Sequence, residues 1–523
     1  MKLTQAHPIS FRTWLLIVAI LVVAGVSRFG GVGEGLPYTY YADEVNHIQL
    51  VQGMLKTGDL NPHYFYYPSG LFYLNALIQG LVYAGGVVTG YFSGPDDLQA
   101  GALLVMGVGI TPQPWAFWVG RGLTATFGVG AVGLMILIGR RLTGDLKTGL
   151  VAALMLAISP THSEYSRYLY PHVILTFLLM LAFWCVERVR TRGQLMDYWL
   201  SGAAIGLATA TMYHGAIMFA GLAVAHFLRV GLKGWRDVRL YQGLAMGVLV
   251  FVILNPFMLL DSAAFIKDSV FIISHYLFAS GGASSAGMGN ALWYYLDYLW
   301  RVEGAIALIA ALELIRCLRA RDRAGLLVFG FSVPFFVLIS LATARNPRTV
   351  LPVMPFFILS SAAWLTQLAA RLVDGLPDNR KRVAGGLIVA GVALATLWTP
   401  TVKTVQATAI LLGTDSREMA RMWIEANVET GSRLAVEAYS PYPDPTRYDV
   451  QGFVRAILQT PDWYIDNGFD YLIFSENMFG RYFAEPDLYR AEVDAYSALF
   501  NRFDQVASFD DGAYEIRIYS IAR

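Results

Sequence analysis

The sequence predicts a polytopic α-helical membrane protein of about eleven spans, with a small soluble α/β domain at its C-terminal end. Three observations predict it. Of 523 residues, 56% are hydrophobic and only 15% charged, where a soluble chain has about 25% charged residues. The apolar residues fall in long runs rather than alternating with polar ones. From about residue 412 onward the composition becomes polar and acidic, with no run of span length.

Lys2 and Arg12 precede an apolar run from Trp14 to Val26. No small-residue cleavage site follows, so this reads as an uncleaved first span. The full set of runs is 14–30, 115–139, 148–160, 171–186, 198–212, 215–230, 241–260, 299–317, 324–343, 349–371 and 384–402. Basic residues cluster in alternate connections: Arg140, Arg141 and Lys147; Arg188, Arg190 and Arg192; Arg229, Lys233, Arg236 and Arg239; Arg316, Arg319, Arg321 and Arg323; Arg380, Lys381 and Arg382. All five clusters become cytoplasmic if the N-terminus is cytoplasmic and eleven spans are counted, as the positive-inside rule asks. The apolar stretches 70–92 and 98–110 are then left without a crossing. Pro95, Asp96 and Asp97 divide them, and 98–110 is too short to span as a helix. They read as two helices lying at or dipping into the outer face.

This divides the chain into a transmembrane domain, 1–408, and an extracytoplasmic α/β domain, 409–523. The first outer loop, 31–114, carries the juxtamembrane helices. Other outer segments are "SPTHSEYSRYLYPH" (159–172), Asp261 to about Tyr298, and "ARNPR" (344–348). In the tail, "TDSREMARMWIEAN" reads as an amphipathic helix with Asp415 and Glu418 in capping-box-like spacing. "SRLAVEAY", "FDYLIFS" and "YEIRIYSI" read as strands, and "DVQGFVRAILQ" and "DLYRAEVDAYSALFNRF" as helices.

The net charge of +1 and the lack of a basic cluster beyond the loops give no reason to expect nucleic acid. Aromatic residues at 14% suit interfacial belts and a cavity for a ring-shaped or lipid ligand. The two cysteines, Cys185 and Cys317, lie near cytoplasmic span ends, where a structural disulfide is not expected.

Ionisable residues at membrane depth are functional candidates. Here Asp43, Glu44, His47, Lys56, Asp59, His63, His162, Glu164, Arg167, His172, His214, Arg345 and Arg348 all fall on the outer side. "YYADEVNHIQLVQGMLKTGDL" predicts a helix from Ala42 to Lys56, with Val45, Ile48, Val51 and Leu55 as its apolar stripe. Asp43 and Glu44 then sit in its first turn. Acids there also serve the helix dipole, for a few tenths of a kcal/mol, so local pattern leaves structural and chemical roles open. Asp43 and His47 share a helical face and, with His63, form a candidate divalent-metal set without any compact metal motif. His47 is equally a candidate to orient Asp43. In "ARNPRTVLPVMP", two outward arginines run against the positive-inside bias, which weakens the simple anchoring reading and leaves anion binding open beside it.

Four stretches together resemble the GT-C class of membrane glycosyltransferases. The group they match is the prokaryotic relatives of protein O-mannosyltransferases and of the lipid A aminoarabinose transferase. "YYADEVNHIQLVQGML" resembles the first outer loop of that class, where an Asp-Glu pair follows the first span. "FYYPSGLFYLNAL" resembles its Pro-rich lead into a juxtamembrane helix, with Ser69 in place of a second proline. "WVGRGLTATFGVGAVGLMILIGRRLTGDLKTGLVAALMLAISPTHSEYSRYLYPHVILTF" resembles the next two spans and second outer loop. "RNPRTVLPVMPFFIL" resembles the late arginine-bearing turn. The order of the four, over about 1–400, carries more than any one of them.

The resemblance implies an inverting glycosyltransferase of the prokaryotic cytoplasmic membrane with an extracytoplasmic active site. It would move a sugar from a polyprenyl-phosphate donor to an acceptor lipid, glycan or protein. Asp43 would be the general base and Glu44 its catalytic partner in positioning. Arg348, with Arg345 and Arg167, would hold the donor phosphate, and His47, His63, Glu164, Tyr168 and His172 would line the cavity. Where the class often has an acid after the proline of the second outer loop, this chain has His172; Glu164 is the candidate substitute, and a divalent metal cofactor stays an open question. Two other readings remain: a transporter or flippase for lipid-linked glycans, which should show internal repeats, and a non-catalytic envelope assembly protein.

Overall fold

The computed structural model describes residues 10–99, 101–278, 291–374, 379–410, 413–513 and 515–521. Lys2, part of the third outer segment and Tyr514 lie outside them. Each of the eleven apolar runs contains a helix. Among the described residues, eight helices are long and apolar enough to cross a membrane. Seven belong to the expected runs; the eighth is Ser69–Val88. Four expected spans are shorter: Leu146–Ala157, Leu195–Thr209, Val238–Ile253 and Ile306–Ala320, of 12 to 16 residues. At 1.5 Å per residue these reach about 18–24 Å, short of a hydrocarbon core of about 30 Å. The count of eleven full-length spans is therefore not reached.

Close helix approach accounts for several glycines. The helices Leu195–Thr209 and Val238–Ile253 meet at Gly202 and Gly243, and a Cβ on Gly202 would strike the Gly243 carbonyl. Small residues at such crossings let backbones touch, the main source of helix attraction in lipid. At one end of the bundle the basic connections tie into one another. Arg239 donates to the Gly193 carbonyl at 2.8 Å, and Arg316 pairs with Glu313 and Asp322.

The opposite end carries the long connection between the first helix, Phe11–Phe29, and the helix Pro114–Thr143. Within it the helix Ala42–Thr57 forms as predicted, with Asp43 and Glu44 in its first turn. Gly58 at φ 74° ends it, a conformation glycine adopts without steric cost. Its buried stripe is Val45, Ile48, Val51 and Met54, each contributing roughly 1.5–3 kcal/mol of apolar burial. Val45 and Ile48 pack with Phe117 and Leu169, and Val51 and Met54 with Phe72. Two bundle helices and the second connection thus fix the orientation of Asp43.

The stretch 98–110 is not a helix. It forms a hairpin, β2 (Ala102–Val105) and β3 (Val108–Ile110), and β3 also pairs with β1 (Tyr38–Thr39). Gly107, at φ 68°, makes the turn. Its left-handed backbone breaks helical periodicity where β-branched residues flank it.

The C-terminal region is a five-stranded mixed sheet of order β5-β4-β6-β8-β7. Its strands are β4 (Arg433–Glu437), β5 (Asp449–Phe453), β6 (Tyr471–Ser475), β7 (Asp504–Asp510) and β8 (Glu515–Ser520). Alternation of side chains along a strand splits the core. Leu434, Val436, Ile516 and Ile518 pack with Ile424 of the helix Ser416–Asn427. Ala435, Phe474 and Tyr519 pack with Tyr496 and Leu499 of the helix Arg490–Arg502. The predicted helix over 449–459 is instead β5 followed by a single turn, Ala456–Leu458. Parallel pairing to β4 overrides its weak helical pattern. The Tyr439 amide donates to the Met106 carbonyl at 3.1 Å, so the hairpin joins this domain to the Asp43 end of the bundle.

Candidate active site

Asn346 caps the turn Pro347–Val350 by accepting from the Arg348 amide at 3.0 Å. That turn projects the Arg348 side chain across the first turn of the helix Ala42–Thr57. Arg348 Nη1 donates to Asp43 Oδ2 at 2.9 Å. The guanidinium also lies 4.5 Å from the centre of the Tyr170 ring, where the ring quadrupole attracts a cation. Asp43 keeps 41% of its side chain exposed and Arg348 20%, so both are reachable.

They line one cavity of about 520 Å³, with Tyr64, Tyr66, Tyr67, His214, His275 and Tyr276 as its other polar edges. Ile272, Ile273, Leu338, Ile339 and Leu341 form an apolar wall. Burial raises the phenols of Tyr64 and Tyr67 above their ordinary range, so they remain protonated donors. The chamber therefore joins a cation, a carboxylate and hydroxyl donors to an oily flank. Such an arrangement can hold a phosphate carrying a hydrocarbon chain beside a nucleophile in need of a base.

Glu44 points elsewhere. Its carboxylate accepts from Arg121 Nη2 at 2.8 Å, Arg121 Nε at 3.1 Å and the Leu169 amide at 2.6 Å. Both partners of this ion pair are fully buried. Arg121 also donates to the Val32 and Glu34 carbonyls. The adjacent acids thus have different surroundings, Asp43 in the cavity and Glu44 in a tie holding three segments together.

The other sequence candidates are dispersed. His47 does not orient Asp43: its ring packs 4.5 Å from Phe72, and burial lowers its pKa to about 3. Although four positions share a helical face, the His47 ring is buried against Phe72 and makes no hydrogen bond to Asp43 among the described residues. His63 is exposed and bonds Asp59 and Asp261. The metal set Asp43, His47 and His63 is therefore not assembled. Among the described residues, the one close group of metal-ligating types is Glu313, Cys317 and Asp322, at the other end of the bundle. Of the three arginines expected on a phosphate, only Arg348 lines this cavity. Arg345 is buried, and Arg167 donates to the Ser27 carbonyl at 3.1 Å. Tyr168 accepts from Tyr41 at 2.8 Å and donates to Glu34. Glu164 retains exposed surface, and crowding by protein raises its carboxyl. His172 is buried at the start of the helix Pro171–Thr191. None of these last three lines the Asp43 cavity.

Several site residues escaped the sequence reading. Tyr64, Tyr66 and Tyr67 had a signal, the aromatic run before Pro68. Arg121 had one too, as a charge inside an apolar run. His275 and Tyr276 had none, because their place depends on how the helix Ser262–Phe278 packs.

Residues 105–268 match the family model described as dolichyl-phosphate-mannose-protein mannosyltransferase. Neither Asp43 nor Arg348 falls in that segment. The solved structure of an Archaeoglobus fulgidus oligosaccharyltransferase superposes with a TM-score of 0.53 at 11% identity, covering 94% of this chain and 72% of that one. ArnT from Cupriavidus metallidurans, bound to undecaprenyl phosphate, superposes at 0.51 with 18% identity, covering 97% and 98%.

The chain has the GT-C fold.

A curated relative, an uncharacterized protein of Aquifex aeolicus, is 26% identical over 156 residues. That match covers 27% of this chain and 31% of the relative, so it spans about a third of the relative's length.

Proposed function

We propose that the chain is an inverting glycosyltransferase of a prokaryotic cytoplasmic membrane, acting on its outer face with a polyprenyl-phosphate-linked sugar as donor. One observation carries this reading. Asp43 and Arg348, 305 positions apart, meet in a cavity with an apolar wall. The mannosyltransferase family model over 105–268 and the lipid phosphates named with two similar structures, the undecaprenyl phosphate of ArnT and the dolichol-phosphate of an archaeal oligosaccharyltransferase, support the donor class.

Asp43 accepts the proton of an acceptor hydroxyl or amine as that group attacks the anomeric carbon. The bond from that carbon to the phosphate oxygen breaks, and its electron pair leaves with the polyprenyl phosphate. Arg348 neutralises the growing charge on the phosphate, so the leaving group needs no proton donor. A single displacement inverts the anomeric configuration. Arg348 is held by Asp43; a donor phosphate competes for the same guanidinium and frees the carboxylate for base duty. Glu44 acts through position, by locking the start of its helix to Arg121. Residues 1–408 form the catalytic membrane domain and 409–523 the outer domain, with the basic connections at the cytoplasmic end.

Proteoliposomes holding the purified protein and a radiolabelled polyprenyl-phosphate sugar test the reading. Transfer of label to an acceptor, with release of polyprenyl phosphate, supports it. Movement of intact lipid-linked sugar across the bilayer without transfer would establish the transporter reading instead.

A further inference from the structure

A second cavity, of about 850 Å³, opens between the segment Gly31–Tyr40 and the start of the C-terminal domain, Gly413–Arg421. Its chemistry differs from that of the first. Glu34, Tyr38, Tyr40, Trp118, Glu418 and Arg421 supply most of its functional surface. Trp118 is 52% exposed, its indole lying over Gly33, where any Cβ would strike it. Arg421 sits 4.9 Å from the centre of the Tyr38 ring and pairs with Glu418. Arg417 covers Tyr40 at 3.8 Å. Burial raises the Glu34 carboxyl above its ordinary value.

A wall of tyrosine contacts links the two cavities. Glu34 accepts from Tyr168 at 3.3 Å, and Tyr168 accepts from Tyr41 at 2.8 Å. The Tyr41 ring meets Tyr170 edge-on at 6.5 Å, and Tyr170 carries Arg348. Tyr40 precedes Asp43 by three residues, which places their Cα atoms within about 11 Å of one another.

A hydrocarbon chain suits the first cavity, with its aliphatic wall, and not the second. The exposed indole of Trp118 beside carboxylates and a guanidinium suits a sugar, whose C–H face packs on a ring while its hydroxyls donate to carboxylates and accept from arginine. We propose that this second cavity binds a glycan acceptor, whose terminal sugar reaches around the tyrosine wall to present its hydroxyl to Asp43. The proposal rests on the transferase reading and names its acceptor class: a pre-existing oligosaccharide rather than a protein side chain.

The test uses the full-length protein in nanodiscs, probed with immobilised oligosaccharides of several linkages and, in parallel, with Ser/Thr-rich peptides. Binding of at least one oligosaccharide series is expected. Trp118→Ala and Glu418→Gln should weaken it tenfold or more, and Trp118→Phe should retain most of it. Unchanged gel-filtration profiles confirm that the variants fold. Peptide binding without glycan binding overturns the proposal, as does glycan binding indifferent to both variants. Donor turnover is read separately. If donor is consumed while the groove variants keep the wild-type acceptor KM, the groove assignment fails and the transferase stands. If glycan binds through the groove but donor is never consumed, the transferase reading fails instead.

Discussion

The Asp43 carboxylate and the Arg348 guanidinium are 2.9 Å apart, brought together from opposite ends of the membrane domain. The pair is partly exposed and opens onto the cavity, where solvent screening keeps its contribution to stability near the roughly 0–1 kcal/mol of accessible ion pairs. Its placement therefore points to chemistry rather than to folding.

Arg348→Ala should weaken donor binding by roughly 10- to 100-fold, the worth of one charge-assisted hydrogen bond to phosphate. Arg348→Lys should recover part of the loss, since it keeps the charge but not the flat fork over Tyr170. Titration of polyprenyl phosphate against the purified variants measures this. An unchanged affinity for Arg348→Ala would remove it from the phosphate site.

Glu44→Ala should behave differently. It leaves Arg121 buried without its counter-charge, which costs about 3–5 kcal/mol. The thermal midpoint in detergent should fall sharply. Asp43→Asn should shift stability by no more than about 1 kcal/mol. Equal midpoints for the two variants would contradict the division of roles between the adjacent acids.

These two acids show how far the sequence could be read. The pattern of Val45, Ile48 and Val51 located the helix and its first turn, because apolar spacing reports directly on which face is buried. It could not separate Asp43 from Glu44, since one residue of rotation, about 100°, decides which acid meets Arg121 and which meets Arg348. His47 shares a helical face with Asp43 by count, yet its ring packs inward onto Phe72, a rotamer choice that spacing does not report. Arg345 and Arg167 shared the right side of the bundle with Arg348, but side does not determine aim. The hairpin at 98–110 pairs locally across Gly107, but its short apolar strands carry no clear alternation, and the contacts that hold it in place are distant, β1 at Tyr38–Thr39 and the Tyr439 amide. Strand β5 is set by its parallel pairing with β4, more than ten residues earlier, which local pattern does not report.

The C-terminal sheet region carries a pH-sensitive group. Glu437 is buried, accepts from Tyr496 at 2.7 Å and from the Ala456 amide at 2.9 Å, and burial pushes its pKa up to about 7 from 4.5. The folded form therefore holds a proton that the unfolded form has released. Its stabilising share is complete below pH 4.5 and is lost as pH rises through 7, by roughly 3 kcal/mol at most. The unfolding transition of this domain in the full chain should move down between pH 5 and pH 8, and Glu437→Gln should flatten that slope. A variant with the wild-type slope would assign the dependence to other groups.

The central claim is that Asp43 is the base of a sugar transfer. The most direct measurement is the rate of transfer from a polyprenyl-phosphate sugar by Asp43→Asn, alongside its donor affinity. Asp43→Asn should lose about 100-fold or more of the rate, in the range of general-base catalysis, while it inserts, folds and still binds donor. Transfer at the wild-type rate by the folded variant would contradict the claim.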